Sequence, residues 1–142
     1  MDSDRLRRAI LENAKEIVRL HSLVHETFRH RNQNPQKRAE WQQAAAEFRR
    51  RYDTLAFPGG YDAAFDRIAR GEPEALEAAI CFLECRPYFF RSGYMFKKIL
   101  RRCRRAPLSA AQAVRLDAIN QNVAEWRERK RRSSLLPRNQ PR

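Results

Sequence analysis

Apolar side chains recur at helical spacing from the start of this chain. In about residues 4–31 they return at intervals of three, four and seven, which places them on one helix face. The residues of that stripe are Leu6, Ile10, Ile17, Leu20, Val24 and Phe28. Ser3 or Asp4 can cap the start of the helix. The pattern predicts a long amphipathic helix with one face toward a core.

The helical period continues along the chain, interrupted by turn residues. Pro35 suits the first position of a second helix because its missing N–H is not needed there, and Pro58-Gly59-Gly60 forms a turn. The predicted helices cover about residues 4–31, 35–55, 61–69, 73–85, 93–105 and 109–131. In helix 73–85 the predicted inward residues are Leu76, Ala79, Ile80 and Leu83. In helix 109–131 they are Val114 or Ala113, Leu116, Ile119, Val123 and Trp126. No segment has a pattern that supports a strand. We therefore predict an all-α fold, a single compact bundle of five or six helices.

The length of 142 residues favours one domain with a real core. We assign residues 1–132 to a single helical domain. Residues 133–142 contain two prolines, no acid and no periodicity, and we predict a flexible basic tail there.

Basic residues are concentrated in the C-terminal part of the chain. Residues 88–142 hold fifteen Lys and Arg against three acids, whereas residues 1–87 hold fifteen against fourteen. Nearly all of the formal net charge of +13 therefore lies in the second segment. A segregated charge creates a local field, which attracts a polyanion or an acidic partner.

The predicted helix 93–105 separates an apolar face from a basic face. The apolar face contains Phe96, Ile99, Leu100 and Cys103. The basic face contains Lys97, Lys98, Arg101, Arg102 and Arg105. Like charges one turn apart destabilise a free helix, and no acid lies between Arg86 and Arg115 to offset them. The pattern favours an anion-binding face; the alternative is an ordinary solvated face whose Arg stems cover the core.

A second basic cluster ends the last predicted helix. Cations are tolerated at a helix C-terminus, but together with the tail this cluster could also wrap a polyanion. The candidate residues for binding a nucleic acid or an acidic partner are Arg91, Lys97, Lys98, Arg101, Arg102, Arg104, Arg105, Arg127, Lys130, Arg131 and Arg132.

The connection between the fourth and fifth helices is rich in aromatic residues. Aromatic rings interleaved with Arg can stack on the bases of a single strand, but we favour a plug for the bundle core, with Arg91 and Tyr94 as its exposed members. Ser92 is the expected N-cap of the following helix. Alternatively, Ser92 and Gly93 hold an anion at the start of that helix.

Enzymatic and metal-binding interpretations have less support. His21 and His25 lie one turn apart, but Ser22 stands where a zinc metalloprotease has Glu. We therefore predict no metal, no cofactor and no catalytic residue. Arg19 and His25 are separated by five residues, a spacing that resembles the Arg–His motif of HEPN ribonucleases. The resemblance covers two residues and implies RNA cleavage. In that family the motif usually begins a late helix, whereas here it lies within the first.

Cysteine use and apolar content indicate the compartment. Cys81, Cys85 and Cys103 are an odd count and fit reduced core thiols. No stretch approaches the roughly 18 apolar residues of a membrane span, and the N-terminus lacks an apolar signal-peptide core. We expect a cytoplasmic protein that does not enter membranes; assembly of identical copies is compatible with the sequence.

These observations favour a non-enzymatic binding protein. Its basic helix and tail would contact the phosphate backbone of RNA or DNA, as a small subunit or accessory factor of a nucleoprotein complex. The connection between helices 73–85 and 93–105 is too long for a helix-turn-helix, so backbone binding is favoured over base readout. The alternative is an adaptor or inhibitor whose basic face docks on an acidic protein. The remote alternative is an RNA-cleaving enzyme that uses Arg19 and His25.

Overall fold

A computed structural model describes residues 2–135 of the chain. In that range it contains six α-helices and no strand, which confirms the predicted all-α class. The helices are α1 (Ser3–His30), α2 (Pro35–Ala56), α3 (Ala64–Ala69), α4 (Pro73–Cys85), α5 (Ser92–Cys103) and α6 (Ala110–Leu135). None of the six combines the length and the apolar content that crossing a membrane requires.

The helix ends follow local capping chemistry. The cap of α1 is Asp2 rather than the predicted Ser3 or Asp4, and its side chain accepts hydrogen bonds from two backbone N–H groups. The side chain of Asn34 accepts from Lys37 N–H at the start of α2. Ser109 Oγ accepts from Gln112 N–H, and the Gln112 side chain accepts from Ser109 N–H, which is a reciprocal capping box at the start of α6. The predicted end of α6, near residue 131, was too early, because the helix continues to Leu135. Residues 136–142 of the predicted tail lie outside the described residues.

Helix α4 forms the centre of the bundle. All residues from Ala75 to Leu83 are buried, because α1, α3, α5 and α6 each pack against this helix. The sequence predicted a single buried face, with Leu76, Ala79, Ile80 and Leu83 inward, and that prediction was too narrow. Small residues such as Ala78 and Cys81 let neighbouring helices approach the other faces of α4 closely.

The N-terminal part of the chain is a helical hairpin. Helices α1 and α2 pack along each other, and Ile10, Ile17 and Leu20 of the predicted apolar stripe are buried. Phe28, at the end of that stripe, stays 42% exposed at the hairpin tip, with its ring against Trp41. The hairpin rests on α4 through α1, so α5 and α6 meet α4 on other sides.

Candidate functional site

A groove separates α5 from α6 where both helices pack against the central α4. It encloses about 640 Å³, and we call it the α5–α6 groove. Its floor is formed by Phe96 and Leu100 of α5 and by Val123 of α6, which are 8%, 3% and 6% exposed. The groove is therefore an apolar-floored depression at the surface of the core.

The walls of the α5–α6 groove carry basic side chains from three helical elements. They are Arg86, the C-cap of α4, Lys97 and Arg101 of α5, Arg104, the C-cap of α5, and Arg127 and Lys130 of α6. No carboxylate lies among the described residues that line it. Low-dielectric walls lined by one sign of charge concentrate the electrostatic field, which attracts anions from solution.

The amphipathic pattern of α5 determines its wall of the groove. Phe96, Ile99, Leu100 and Cys103 are all buried, as predicted, so the helix is fixed in rotation about its axis. Lys97 and Arg101 lie one turn apart on its exposed side. The tertiary structure thus brings these two residues opposite Arg127 and Lys130, which the sequence placed in a separate cluster.

Arg86 occupies the end of the groove in an unusual backbone conformation. It is the C-cap of α4 with φ 47° and ψ 58°, a left-handed conformation that favours glycine. Its guanidinium carbon lies 4.9 Å from the centre of the Phe96 ring and 5.1 Å from that of Trp126. These distances suit cation–π contacts. Arg86 was not among the site residues predicted from the sequence; its position directly after an apolar helix and before Pro87 was the available signal.

The exposure of Trp126 contradicts its predicted inward position. The periodicity of α6 placed it inward with Leu116, Ile119 and Val123, and those three are buried, but Trp126 is 41% exposed. It lines the groove instead. The ammonium of Lys130, one turn later, lies 5.0 Å from its ring centre. Val114 or Ala113 was also predicted inward, but Val114 is 68% exposed and Ala113 is exposed as well.

The aromatic connection contributes only one ring fully to the core. Phe89 is buried, whereas Tyr88 is 89% exposed and Phe90 41% exposed, so the prediction of a core plug holds for Phe89 alone. Tyr94 and Arg91 are exposed, as predicted. The short chain between α4 and α5 cannot turn three consecutive side chains to the same side.

Ser92 is not the N-cap of α5. The cap position belongs to Arg91, with φ 68°, and no side chain within residues 2–135 caps the helix. Ser92 is buried; its Oγ accepts a hydrogen bond of 3.1 Å from Phe89 N–H, and its own N–H donates to the Phe89 carbonyl at 3.0 Å. This pair of hydrogen bonds fixes the connection next to the groove.

The other predicted site residues lie outside the α5–α6 groove. Lys98, Arg102 and Arg105 line, together with Arg101, a notch of about 300 Å³ against Phe65, which we call the α5 flank. Arg91 lines a depression with Tyr52 and Tyr94.

The last two predicted site residues, Arg131 and Arg132, belong to α6. Both guanidinium groups donate hydrogen bonds to Glu128, one turn earlier on the helix. The structure therefore divides the predicted basic set between several surfaces, and Glu128 partly offsets the charge of these two residues.

A network of ion pairs that the sequence did not reveal fixes α6 on α4. Arg115 donates hydrogen bonds to Glu77 and Glu84, and Arg7 of α1 also donates to Glu84. Burial alone would raise the pKa of Glu77, but hydrogen bonds from Ser3, Gln112 and Arg115 outweigh it and lower that pKa to about 2. Glu77 therefore stays ionised although it is buried. The network lies outside the groove and positions the helix that forms one of its walls.

The pairs considered for catalysis or metal binding have other contacts. Arg19 donates to Glu16 on its own helix, and His25 Nε2 lies 3.2 Å from His21 Nε2. Within residues 2–135, no hydrogen bond or ion pair joins Arg19 to His25, and no cluster of three metal-ligating side chains occurs. His21 also stacks on Phe90 at 4.7 Å between ring centres. Burial and the neighbouring His25 lower the pKa of His21.

Comparison with known proteins gives no match, whether with protein-family models, with curated proteins or with solved structures.

Proposed function

We propose that this chain is a non-enzymatic binding protein that holds the phosphate backbone of a nucleic acid in the α5–α6 groove. The observation that supports the proposal is the convergence of six basic side chains, from α5, α6 and the C-caps of α4 and α5, on one groove that has no carboxylate among its described lining residues. Folding alone does not require this arrangement, because acidic side chains among the Lys and Arg residues would reduce the repulsion between like charges.

The dimensions of the groove suit several phosphates. Lys97 of α5 and Arg104, its C-cap, are seven residues apart, which corresponds to about 10 Å along the helix axis. Arg127 and Lys130 supply cations on the opposite wall. A backbone in the groove would therefore meet cations on both sides, and each phosphate that is neutralised releases counterions into solution. Arg adds bidentate hydrogen bonding to phosphate oxygens.

The groove favours backbone contacts over sequence readout. Its described lining contains no Asn or Gln, the side chains that recognise adenine most specifically. Arg and Lys bind phosphates of any sequence. We therefore infer binding with little sequence preference, as a small subunit or accessory factor of a nucleoprotein complex.

We infer a cytoplasmic location for this protein, because the three cysteines of the chain are free thiols, as is typical of reducing compartments. Cell fractionation tests that inference.

The test compares two variants that lose the same charge. The groove variant replaces three basic residues of the α5–α6 groove: Lys97→Gln, Arg104→Gln and Arg127→Gln. The flank variant replaces three basic residues of the α5 flank: Lys98→Gln, Arg102→Gln and Arg105→Gln. Binding of labelled single-stranded RNA, double-stranded RNA and double-stranded DNA is measured at about 50 and about 200 mM salt, and circular dichroism confirms that both variants fold.

The expected result separates the two variants. The groove variant should bind at least about tenfold more weakly, and its salt dependence should be shallower by two to three phosphate contacts, at about 0.7–0.9 in slope per contact. The flank variant should stay within about threefold of the wild type. Equal losses in both variants would show that diffuse charge, rather than the groove, binds the nucleic acid.

The same experiment tests the acidic-protein alternative. If the wild type binds none of the three nucleic acids beyond a weak attraction that is lost at about 200 mM salt, the proposal is wrong. An acidic protein surface would then be the partner class to pursue, with the groove and flank variants as probes in a pull-down.

A further inference from the structure

Tyr88 is an exposed aromatic residue at the mouth of the α5–α6 groove. It lines the groove beside Arg86, yet 89% of its surface is accessible. A side chain this exposed contributes little burial free energy to the fold. Tyr88 therefore presents a flat apolar ring next to a concentration of positive charge, without a structural need for the ring.

The position of Tyr88 is fixed by its buried neighbours. Pro87 restricts the backbone on one side, and Phe89 on the other side is buried against Phe82 and Tyr52. The paired hydrogen bonds between Phe89 and Ser92 hold the following turn. The backbone that carries the Tyr88 ring is thus held before any ligand binds, which lowers the entropic cost of a contact.

Trp126 is a less suitable stacking surface than Tyr88. Its ring already has two cations near it, with Arg86 at 5.1 Å and Lys130 at 5.0 Å from the ring centre. A base that stacked on Trp126 would have to displace one of these contacts. Tyr88 offers an open ring at the same groove.

We propose that the ligand of the α5–α6 groove is a single-stranded nucleic acid, one base of which stacks on Tyr88. This inference rests on the function proposed above. A duplex keeps its base faces inside the stack, whereas a single strand can turn a base outward onto an aromatic ring. The basic side chains of α5 and α6 bind the phosphates, and Tyr88 binds an unstacked nucleobase at the end of the groove.

The test separates stacking from backbone binding. The probes are a labelled oligothymidylate of about twelve nucleotides, which fits known single-strand sites, and a strand with the same number of phosphates but an abasic sugar at every position. The variants are Tyr88→Ala, Tyr88→Phe and a matched control, Tyr94→Ala. Tyr94 is also an exposed tyrosine, 72% accessible, but it lines a different depression.

Stacking predicts a pattern across the probes. Tyr88→Ala should weaken binding of the oligothymidylate about tenfold, whereas Tyr88→Phe and Tyr94→Ala should bind like the wild type. The abasic strand should bind the wild type about tenfold more weakly than the oligothymidylate, and Tyr88→Ala should leave that weaker affinity unchanged. A duplex of the same length should bind more weakly than the oligothymidylate.

Two results would overturn the inference and leave the proposed function standing. One is wild-type binding of the abasic strand as tight as that of the oligothymidylate. The other is an unchanged oligothymidylate affinity in Tyr88→Ala. If the wild type binds neither probe nor any duplex, the proposed function itself is wrong, and the stacking inference is wrong with it.

Discussion

The guanidinium of Arg115 on α6 donates hydrogen bonds to both carboxylate oxygens of Glu77 on α4, with N···O distances of 2.9 and 2.8 Å. Its other nitrogens donate to Glu84 at 3.0 and 2.7 Å. The planar Arg fork holds both carboxylates in a defined geometry, as a Lys ammonium cannot. Through this contact α6 is fixed relative to α4, and so is the wall of the groove that carries Arg127 and Lys130.

Loss of Arg115 should strongly destabilise the fold. Arg115→Ala leaves the buried Glu77 carboxylate without its main cationic partner, and we expect a decrease in the free energy of unfolding of about 2–4 kcal/mol. Urea denaturation measures the change, with Arg129→Ala as an exposed control on the same helix that should shift stability by less than about 0.5 kcal/mol. Similar values for the two variants would mean that the ion pair does not hold α6 in place.

Stability should fall in acid as Glu77 becomes protonated. Its pKa in the folded protein is about 2, below the ordinary value of 4.5. A lowered carboxyl pKa stabilises the folded state above the unfolded value, and this stabilisation is lost as the pH falls from about 4.5 toward 2. We expect Glu77 to contribute on the order of 3 kcal/mol to the difference between neutral and acidic pH. The hydrogen bonds from Arg115, which outweigh burial, lower the pKa of Glu84 as well.

Unfolding curves at about pH 7 and pH 3 measure this dependence. Glu77→Gln should be less stable than the wild type at pH 7 and should lose much less stability on acidification. The exposed Glu26→Gln serves as the matched control and should keep the wild-type pH dependence. If the Glu77→Gln variant loses as much stability in acid as the wild type, the protonation of Glu77 is not the cause of the acid sensitivity.

Two substitutions at Arg86 should separate backbone strain from binding. A non-glycine residue in the left-handed conformation costs about 1–2 kcal/mol, and Arg86 has φ 47°. Arg86→Gly and Arg86→Ala remove the same guanidinium, but only glycine relieves the strain. We expect Arg86→Gly to be about 1 kcal/mol more stable than Arg86→Ala, whereas both should bind nucleic acid equally weakly. Thermal unfolding and a binding titration measure the two effects.

The three thiols should differ in reactivity. Burial raises the pKa of Cys103 to about 12, and burial together with the hydrogen bond to Glu77 raises that of Cys81 to about 11. Both thiols are also inaccessible, whereas Cys85 is half-buried. Since the thiolate is the reactive form, we expect iodoacetamide to alkylate Cys85 first in the native protein. Peptide mass spectrometry after short exposure measures the order, and equally fast labelling of Cys103 would contradict it.

Local signals in the sequence were sufficient to predict the six helices and the amphipathic face of α5, although α3 begins at Ala64 rather than near residue 61. Helical periodicity and capping residues are local signals, so the bounds of α4 were predicted correctly and those of α1 to within about one residue. Phe96, Ile99, Leu100 and Cys103 are buried as predicted, because the spacing that places residues on one helix face depends only on helix geometry. The segregation of positive charge toward residues 88–142 is also a property of the sequence alone.

Which of these charges share a surface depends on how the helices pack against one another. The basic face of α5 is divided between the groove and the flank because α6 passes one side of the helix and α3 the other. The pairing of Glu77 with Arg115 spans 38 residues and leaves no local signal in the sequence. Trp126 continues the periodicity of the buried Leu116, Ile119 and Val123, yet it is exposed and lines the groove beside Arg86. Periodicity specifies the face of a helix, whereas the packing of neighbouring helices specifies what that face contacts.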